Sequence, residues 1–185
     1  MQTLKLYMLL LGCRPKGRNT EQHDMFFGIA SSLKELVPAI NSFWTEAKGN
    51  IHIDAWREVT RVDGYMISVV VREEREAQTE SLFFINLGGY KEQEFEEYHY
   101  KVLAVAKTLD EAKLSAKRTA FYKHTGFKGA VSHIDDRFGV DTDDVHDVKD
   151  ILSADMKEKY SIKITPDLSS PEDKLHLGYL PVYKI

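Results

Sequence analysis

LKLYMLLLG at residues 4–12 and LFFINLG at residues 82–88 decide the fold, because each is a nearly continuous apolar run that ends at a glycine. Such a run is typical of a strand that is covered on both faces of its sheet. We therefore expect residues 4–11 to form a central strand, and residues 82–87 to begin a second sheet in the same way.

The residues that follow these two runs also repeat. The repeated segments are, in the first copy, Gly12, Glu21-x-His23, Ser32-Leu33 and His52-Ile53-Asp54, and in the second copy Gly88, Glu97-x-His99, Thr108-Leu109 and His133-Ile134-Asp135. Corresponding residues of the two copies are 76 positions apart from the glycines to the start of the helix, and 81 positions apart at the two His-Ile-Asp triplets. The sequence therefore predicts an internal duplication in which the second copy has gained residues near the end of its helix.

Each copy has the signals of two strands, a capped helix and two further strands. In the first copy, Ser32 and Glu35 form a capping box, and Pro38 predicts either a kink or a weak first turn in the helix. We expect an α+β fold made by tandem duplication of a β-β-α-β-β unit, with helices on one face of mainly antiparallel sheets and pseudo-twofold symmetry. The expected segments are a first repeat at 1–72, a charged linker at 73–80, a second repeat at 81–165 with an acidic insertion near 136–144, and a tail with one strand at 166–185.

Composition excludes several classes of protein. The 185 residues carry a net charge of −4, and no run of Lys and Arg dominates, which makes nucleic acid an unlikely partner. The single Cys13 excludes an internal disulfide and a thiolate metal cage, and it fits a cytoplasmic protein. No apolar run is long enough to span a membrane as a helix.

The repeated polar residues should meet at one end of each sheet. A right-handed β-α-β connection makes the second and third strands of a unit parallel, so His23 and His52 start at the same end. Asp54 shares a face with His52 because the two are two residues apart on a strand. We expect Glu21 to join them in one cluster. The second cluster would contain Glu97, His99, His133 and Asp135.

Two interpretations of these clusters remain open. Imidazole and carboxylate can hold a divalent metal or perform acid-base catalysis, for which His23, His52 and Asp54 are the candidates. The alternative is a structural contact that holds a loop to the sheet. We expect no cofactor and no metal, and if a metal binds, we expect His23, His52 and Asp54 to be its ligands.

The loop after the first strand contains Arg14 and Arg18. It either grips an anion or is an exposed turn with solvated charges, and no phosphate-binding glycine motif accompanies it. Cys13 next to Gly12 is a further candidate, as a thiol nucleophile near His23.

Several segments resemble a known family. They are LYMLLLG, EQHDMFFGIA, HIDAWREV with VDGY, LFFINLGGY, EEYH and VHDVKDIL, within residues 4–165. They are similar to the bacterial family named domain of unknown function 1543, whose members carry one or two copies of such a unit. The resemblance implies a duplicated α+β unit and brings no activity with it.

The sequence thus predicts a small binding or interaction module, with a metal-dependent or acid-base hydrolytic enzyme as the alternative. The expected partner is an unknown small molecule or protein, or a second copy of the chain in a homodimer. RNA binding is a third, weaker alternative, since the pI is acidic and no basic-aromatic strand pattern is present.

Overall fold

The first apolar run forms β1 (Lys5–Cys13), which lies between β2 (Gln22–Ala30) and β3 (His52–Val59) in the computed structural model. Both neighbours are antiparallel to β1, so β2 and β3 run in the same direction, as the β-α-β connection predicts. The expectation of a central first strand is confirmed. A fourth strand, β10 (His176–Pro181), pairs with the outer side of β3.

The structure describes residues 3–90, 93–124, 142–168 and 171–185. The chain divides into unit 1, which comprises Met1–Glu76 and Leu152–Ile185, and unit 2, which comprises Ala77–Ile151. Besides the four strands above, the strands are β4 (Arg61–Val62), β5 (Tyr65–Val71), β6 (Ser81–Tyr90), β7 (Glu97–Ala106), β8 (Thr142–Asp147) and β9 (Tyr160–Pro166). The α-helices are α1 (Val37–Phe43), α2 (Leu109–His124), α3 (Val148–Ile151) and α4 (Ala154–Lys159).

The connection between β2 and β3 begins with a 3-10 turn, Leu33–Leu36, before α1 starts. Pro38 lies in the first turn of α1, where its missing N–H costs no helical hydrogen bond. The expected capping contact is made mainly one residue earlier, because the Glu35 carboxylate accepts from both the backbone N–H and the hydroxyl of Ser31, and the backbone N–H of Ser32 contributes less. The weak start that Pro38 predicts is therefore a separate 3-10 turn.

The two faces of the first sheet are covered differently. Alternate residues of β1, namely Tyr7, Leu9 and Leu11, are fully buried on the face that Leu36 also covers, where Gly28 leaves room for the Leu36 side chain. Met8 and Leu10 point to the other face and are only partly buried. The end of that second face near β10 therefore stays accessible.

A second, three-stranded sheet completes unit 1, in the order β4-β5-β9. A tight turn at Asp63 and Gly64, both with positive φ, joins β4 to β5, as the sequence predicts. The assignment of residues 160–164 to the second repeat is wrong, because β9 pairs with β5 along its whole length. The chain thus leaves unit 1 at Glu76 and returns to it at Leu152.

Unit 2 contains the sheet β7-β6-β8 and helix α2. Thr108 caps α2 by accepting from the N–H of Glu111, while Glu111 accepts from the N–H of Lys107. β8 begins inside the stretch near 136–144 that is expected to be an acidic insertion and extends beyond it, whereas the strand that the second repeat should contain at 130–135 lies outside the described residues. The fold is α+β with mostly antiparallel sheets. No helix in the described ranges is long and apolar enough to cross a membrane.

Candidate metal centre

Three residues of the first sheet lie in one row across its strands. Gly12 on β1 is opposite His23 on β2 and also opposite His52 on β3. Directly opposed residues of a sheet point to the same face, so both imidazoles stand on either side of a position without a side chain. This row is at the end of the sheet predicted from the sequence.

Two carboxylates complete the cluster. Glu21 Oε1 is 2.9 Å from Nε2 of His52, and Asp54 Oδ2 is 3.1 Å from Nε2 of His23. Asp54 Oδ1 is also 3.4 Å from Nε2 of His52. The structure therefore brings together all four residues that the sequence assigned to the first cluster.

Gly12 makes this assembly physically feasible. The Glu21–His52 and His23–Asp54 contacts each join a residue near the start of β2 to a residue of β3. These two strands are about 10 Å apart because β1 lies between them. A Cβ at position 12 would overlap Nε2 of His52 and lie 2.8 Å from Oδ2 of Asp54. Glycine keeps the space above β1 free for the four side chains.

An irregularity in β3 places Asp54 in the cluster. Ile53 is opposite Leu11 and Ala55 is opposite Leu10, so Asp54 is an extra residue that forms a β-bulge. Bulges redirect a side chain locally and are common beside functional sites. Asp54 therefore approaches both imidazoles from one position.

His52 is the most enclosed member of the cluster. It is 5% exposed, whereas the Glu21 and His23 side chains are each 44% exposed. The Tyr179 ring covers it, with ring centroids 4.3 Å apart. Tyr179 lies where the register of β10 against β3 shifts, next to Gly178 with φ of +124°. The site thus has a buried inner side and an open outer side.

The close contacts lack the alignment of hydrogen bonds. Nε2 of His52 and Oδ2 of Asp54 are buried and have no hydrogen-bond partner among the described residues. Glu21, His23 and His52 each offer one ligand atom, and these three atoms lie within 4.8 Å of one another. Ligands held about 2.1 Å from a shared ion are separated by about 3.0–3.4 Å and point at the ion, not at each other. The contacts at 2.9, 3.1 and 3.4 Å have this spacing, whereas the group as a whole, within 4.8 Å, would have to contract to share one ion.

The structure describes two of the four residues of the second predicted cluster. His99 is opposite Gly88, as His23 is opposite Gly12, but its Nε2 is 4.0 Å from Oε2 of Glu97. His133 and Asp135 lie outside the described residues. In β8, Thr142 is opposite Leu87, as Ile53 is opposite Leu11. Structurally equivalent residues of the third strands are therefore 89 positions apart in the sequence, whereas the two His-Ile-Asp triplets are 81 positions apart.

The remaining candidates lie away from the cluster. Arg14 and Arg18 occupy an exposed turn closed by Arg14 Nε donating to the Arg18 carbonyl, and in the described structure neither guanidinium pairs with the cluster. Cys13 is buried and follows Gly12, so it points to the opposite face of the sheet. Burial raises the pKa of the Cys13 thiol, as do Glu21 and Glu46 to a smaller extent. A thiol nucleophile beside His23 is therefore not formed.

Sequence reasoning missed two residues near the site. Tyr179 belongs to a strand that is far from the cluster in sequence, and no local pattern indicates that it covers His52. Arg57 lies on the same face of β3, opposite Met8, but it resembles any charged residue of a half-exposed strand. The alternation from Gly12 through Leu10 to Met8 could have placed it.

The chain is thus an α+β protein that carries a histidine-carboxylate cluster at the end of an antiparallel sheet. Residues 18–69 match the model of the family described as Domain of Unknown Function (DUF1543), which confirms the resemblance for this segment. All four cluster residues lie within that segment.

Comparison with solved structures finds a similar fold in the crystal structure of a protein Il1583 from Idiomarina loihiensis, with a TM-score of 0.66, 24% sequence identity and coverage of 97% of each chain. This likeness establishes the fold alone. A comparison with curated proteins finds no match.

Proposed function

We propose that unit 1 is a metal-binding module in which Glu21, His23, His52 and Asp54 hold one divalent transition-metal ion. Two imidazole nitrogens and two carboxylates form a mixed donor set that suits Zn²⁺, Fe²⁺ or Mn²⁺. This proposal chooses a metal over the purely structural interpretation of the same residues.

The observation that carries the proposal is the orphaned Nε2 of His52. It is buried 2.9 Å from one carboxylate oxygen and 3.4 Å from another, yet it is hydrogen-bonded to no described residue. Leaving a buried polar atom unsatisfied costs about 1–3 kcal/mol. An ion between the four side chains would satisfy this nitrogen and Oδ2 of Asp54 together.

Metal titration of the full chain tests this proposal. Protein stripped with a chelator should bind one equivalent of Zn²⁺ in calorimetry, and Co²⁺ should give the visible absorption bands of a site with nitrogen and oxygen ligands. His23→Ala and Glu21→Gln should each weaken binding by about 10–100-fold or more. Both side chains are half-exposed, so these variants should fold.

Matched controls separate this site from general surface binding. Asp24→Asn removes an exposed carboxylate on the same strand, opposite Leu11 and therefore on the other face of the sheet. His146→Ala removes an exposed histidine of β8. Both controls should bind metal like the parent protein. Equal losses in the controls and the site variants, or no metal binding at all, would refute the proposal.

Hydrolysis by the bound metal is a second candidate function. The outer side of the site is open, since the His23 and Glu21 side chains are each 44% exposed, and an open coordination position can hold an activated water. The Zn²⁺-loaded protein should then hydrolyse generic ester or phosphoester substrates, and Glu21→Gln should abolish the activity. Activity that survives chelation would contradict this function.

We also propose that the two units arose by duplication. Gly12 opposite His23 and Gly88 opposite His99 occupy the same position in their hairpins, and the third strand of each sheet shifts register at Leu10/Leu11 and Asn86/Leu87. These agreements support a common origin.

A further inference from the structure

The face of the sheet that carries the cluster continues beyond it as two rows of mostly half-buried side chains, and Phe27, opposite Met8 in the second row, is buried. The first row consists of Leu177, Ala55, Leu10 and Met25, which oppose one another across four strands. Three of them are partly buried, and Leu177 is 77% exposed. An apolar strip thus borders the cluster directly.

The next row contains Arg57 opposite Met8. The Arg57 guanidinium is partly buried and makes no hydrogen bond or ion pair with any residue that the structure describes. Burial lowers the pKa of Arg57, while the charges of Asp173, Glu172 and Asp63 act in the opposite sense. A cation that has lost part of its water without gaining a bonded partner is costly, so an anionic ligand here would be stabilising.

Asp173, the carboxylate with the largest electrostatic effect on Arg57, is already hydrogen-bonded to other residues. Asp173 accepts hydrogen bonds from the N–H and hydroxyl of Thr60 and from the N–H of Arg61. The negative charge of Asp173 stabilises the positive charge of Arg57, but the oxygens of Asp173 accept hydrogen bonds from the turn after β3. The five donors of the guanidinium therefore stay available for a bidentate contact with a carboxylate.

We propose that the metal centre and Arg57 are the two ends of one binding site, and that its ligand is an elongated organic dianion with an apolar middle. This inference rests on the proposed metal site. One anionic group would bind the metal above Gly12, the chain would lie over Leu10 and Ala55, and the second anionic group would meet Arg57. Four residues of strand separate the Gly12 and Met8 rows, about 13 Å, which leaves roughly 8 Å between the two anionic groups.

Binding of dicarboxylates to the Zn²⁺-loaded protein tests the inference. Hexanedioate has the right length, hexanoate lacks the second charge, and butanedioate is too short. Hexanedioate should bind about tenfold or more tightly than either in calorimetry, and Arg57→Gln should reduce its affinity to that of hexanoate. Arg75→Gln, which removes an exposed positive charge from the segment after β5, should leave hexanedioate binding unchanged.

The outcomes distinguish the two proposals. If Zn²⁺ binds but hexanedioate shows no preference, or if Arg75→Gln weakens its binding as much as Arg57→Gln, the dianion site is refuted and the metal site stands. If Zn²⁺ does not bind, the metal site is refuted, and the two-ended site that rests on it is refuted as well.

Discussion

Glu21 and His52 lie on opposite sides of β1, yet Oε1 of Glu21 is 2.9 Å from Nε2 of His52. The contact crosses the sheet because the intervening residue is Gly12. A glycine in a strand interior weakens the strand, since it adds no packing and has the largest conformational entropy to lose. Its presence here is explained by the four polar side chains that meet above it.

Gly12→Ala should therefore disrupt the cluster. The added Cβ would overlap the His52 ring, which has no free space because it is 5% exposed beneath Tyr179. We expect at least a tenfold loss of Zn²⁺ affinity and a loss of stability of about 1–3 kcal/mol.

A double-mutant cycle checks that explanation. In a His52→Ala background the overlapping ring is gone, so Gly12→Ala should cost much less than it does in the parent, with a coupling energy of about 1 kcal/mol or more. Urea denaturation of the four proteins measures the coupling. Additive losses would show that the alanine acts on the strand itself and not through His52.

The full chain should bind one metal ion and not two. Among the described residues, a group of three possible ligands forms at Glu21, His23 and His52, whereas in unit 2 Nε2 of His99 is 4.0 Å from Oε2 of Glu97. Elemental analysis of the purified, Zn²⁺-saturated protein should give one ion per chain, and His99→Ala should leave that number unchanged. Two tightly bound ions per chain, one of them lost in His99→Ala, would contradict the account.

Alkaline pH should destabilise unit 1 through Tyr7. This side chain is 2% exposed and its hydroxyl contacts Glu58, and burial followed by the charge of Glu58 raises the pKa of Tyr7 to about 12. Folding thus favours the protonated phenol. Its contribution is fully present below about pH 10, where the unfolded chain also keeps the proton, and is lost as the pH rises to about 12.

Comparison with Tyr7→Phe isolates this effect. The parent should lose about 2–3 kcal/mol more stability than the variant between pH 10 and 12. Urea denaturation across that range measures the difference, and absorbance at the phenolate wavelength should show one fewer late-titrating tyrosine in the variant. Parallel pH profiles of the two proteins would refute the prediction.

Asp173 should fasten the C-terminal segment to the turn after β3. Its carboxylate accepts at 3.0 Å from the N–H and at 2.6 Å from the hydroxyl of Thr60, and at 3.2 Å from the N–H of Arg61. Asp173→Asn replaces an acceptor with an N–H₂ group that faces these donors, so we expect a loss of about 1–3 kcal/mol. Glu172→Gln changes the charge equally at an exposed neighbour and should cost little. Thermal denaturation of both variants tests the difference.

The sequence predicted those parts of the fold that depend on local pattern. The apolar run of β1, the turn at Asp63 and Gly64 and the Thr108 cap are each encoded within a few residues, and all are present. The pairing of β9 with β5 was missed because it joins strands about 90 residues apart, and the internal repeat favoured a partner within the second copy. Periodicity carries no information about such distant pairs.

The same distinction applies to the site. Glu21, His23, His52 and Asp54 could be grouped because the direction of β2 and β3 follows from the β-α-β rule. The bulge at Asp54 and the position of Tyr179 over His52 depend on register shifts that no sequence pattern in those strands predicts. Arg57 was missed because its significance comes from lacking a bonded partner, which only packing reveals.

X-ray absorption spectroscopy of the Zn²⁺-loaded full chain tests the central claim most directly. The account predicts one zinc with two imidazole nitrogens and one or two carboxylate oxygens at about 2.0–2.2 Å, and the loss of one imidazole in His23→Ala. A spectrum without imidazole scattering, or one that is identical in the parent and His23→Ala, would contradict the assignment of the metal to this cluster.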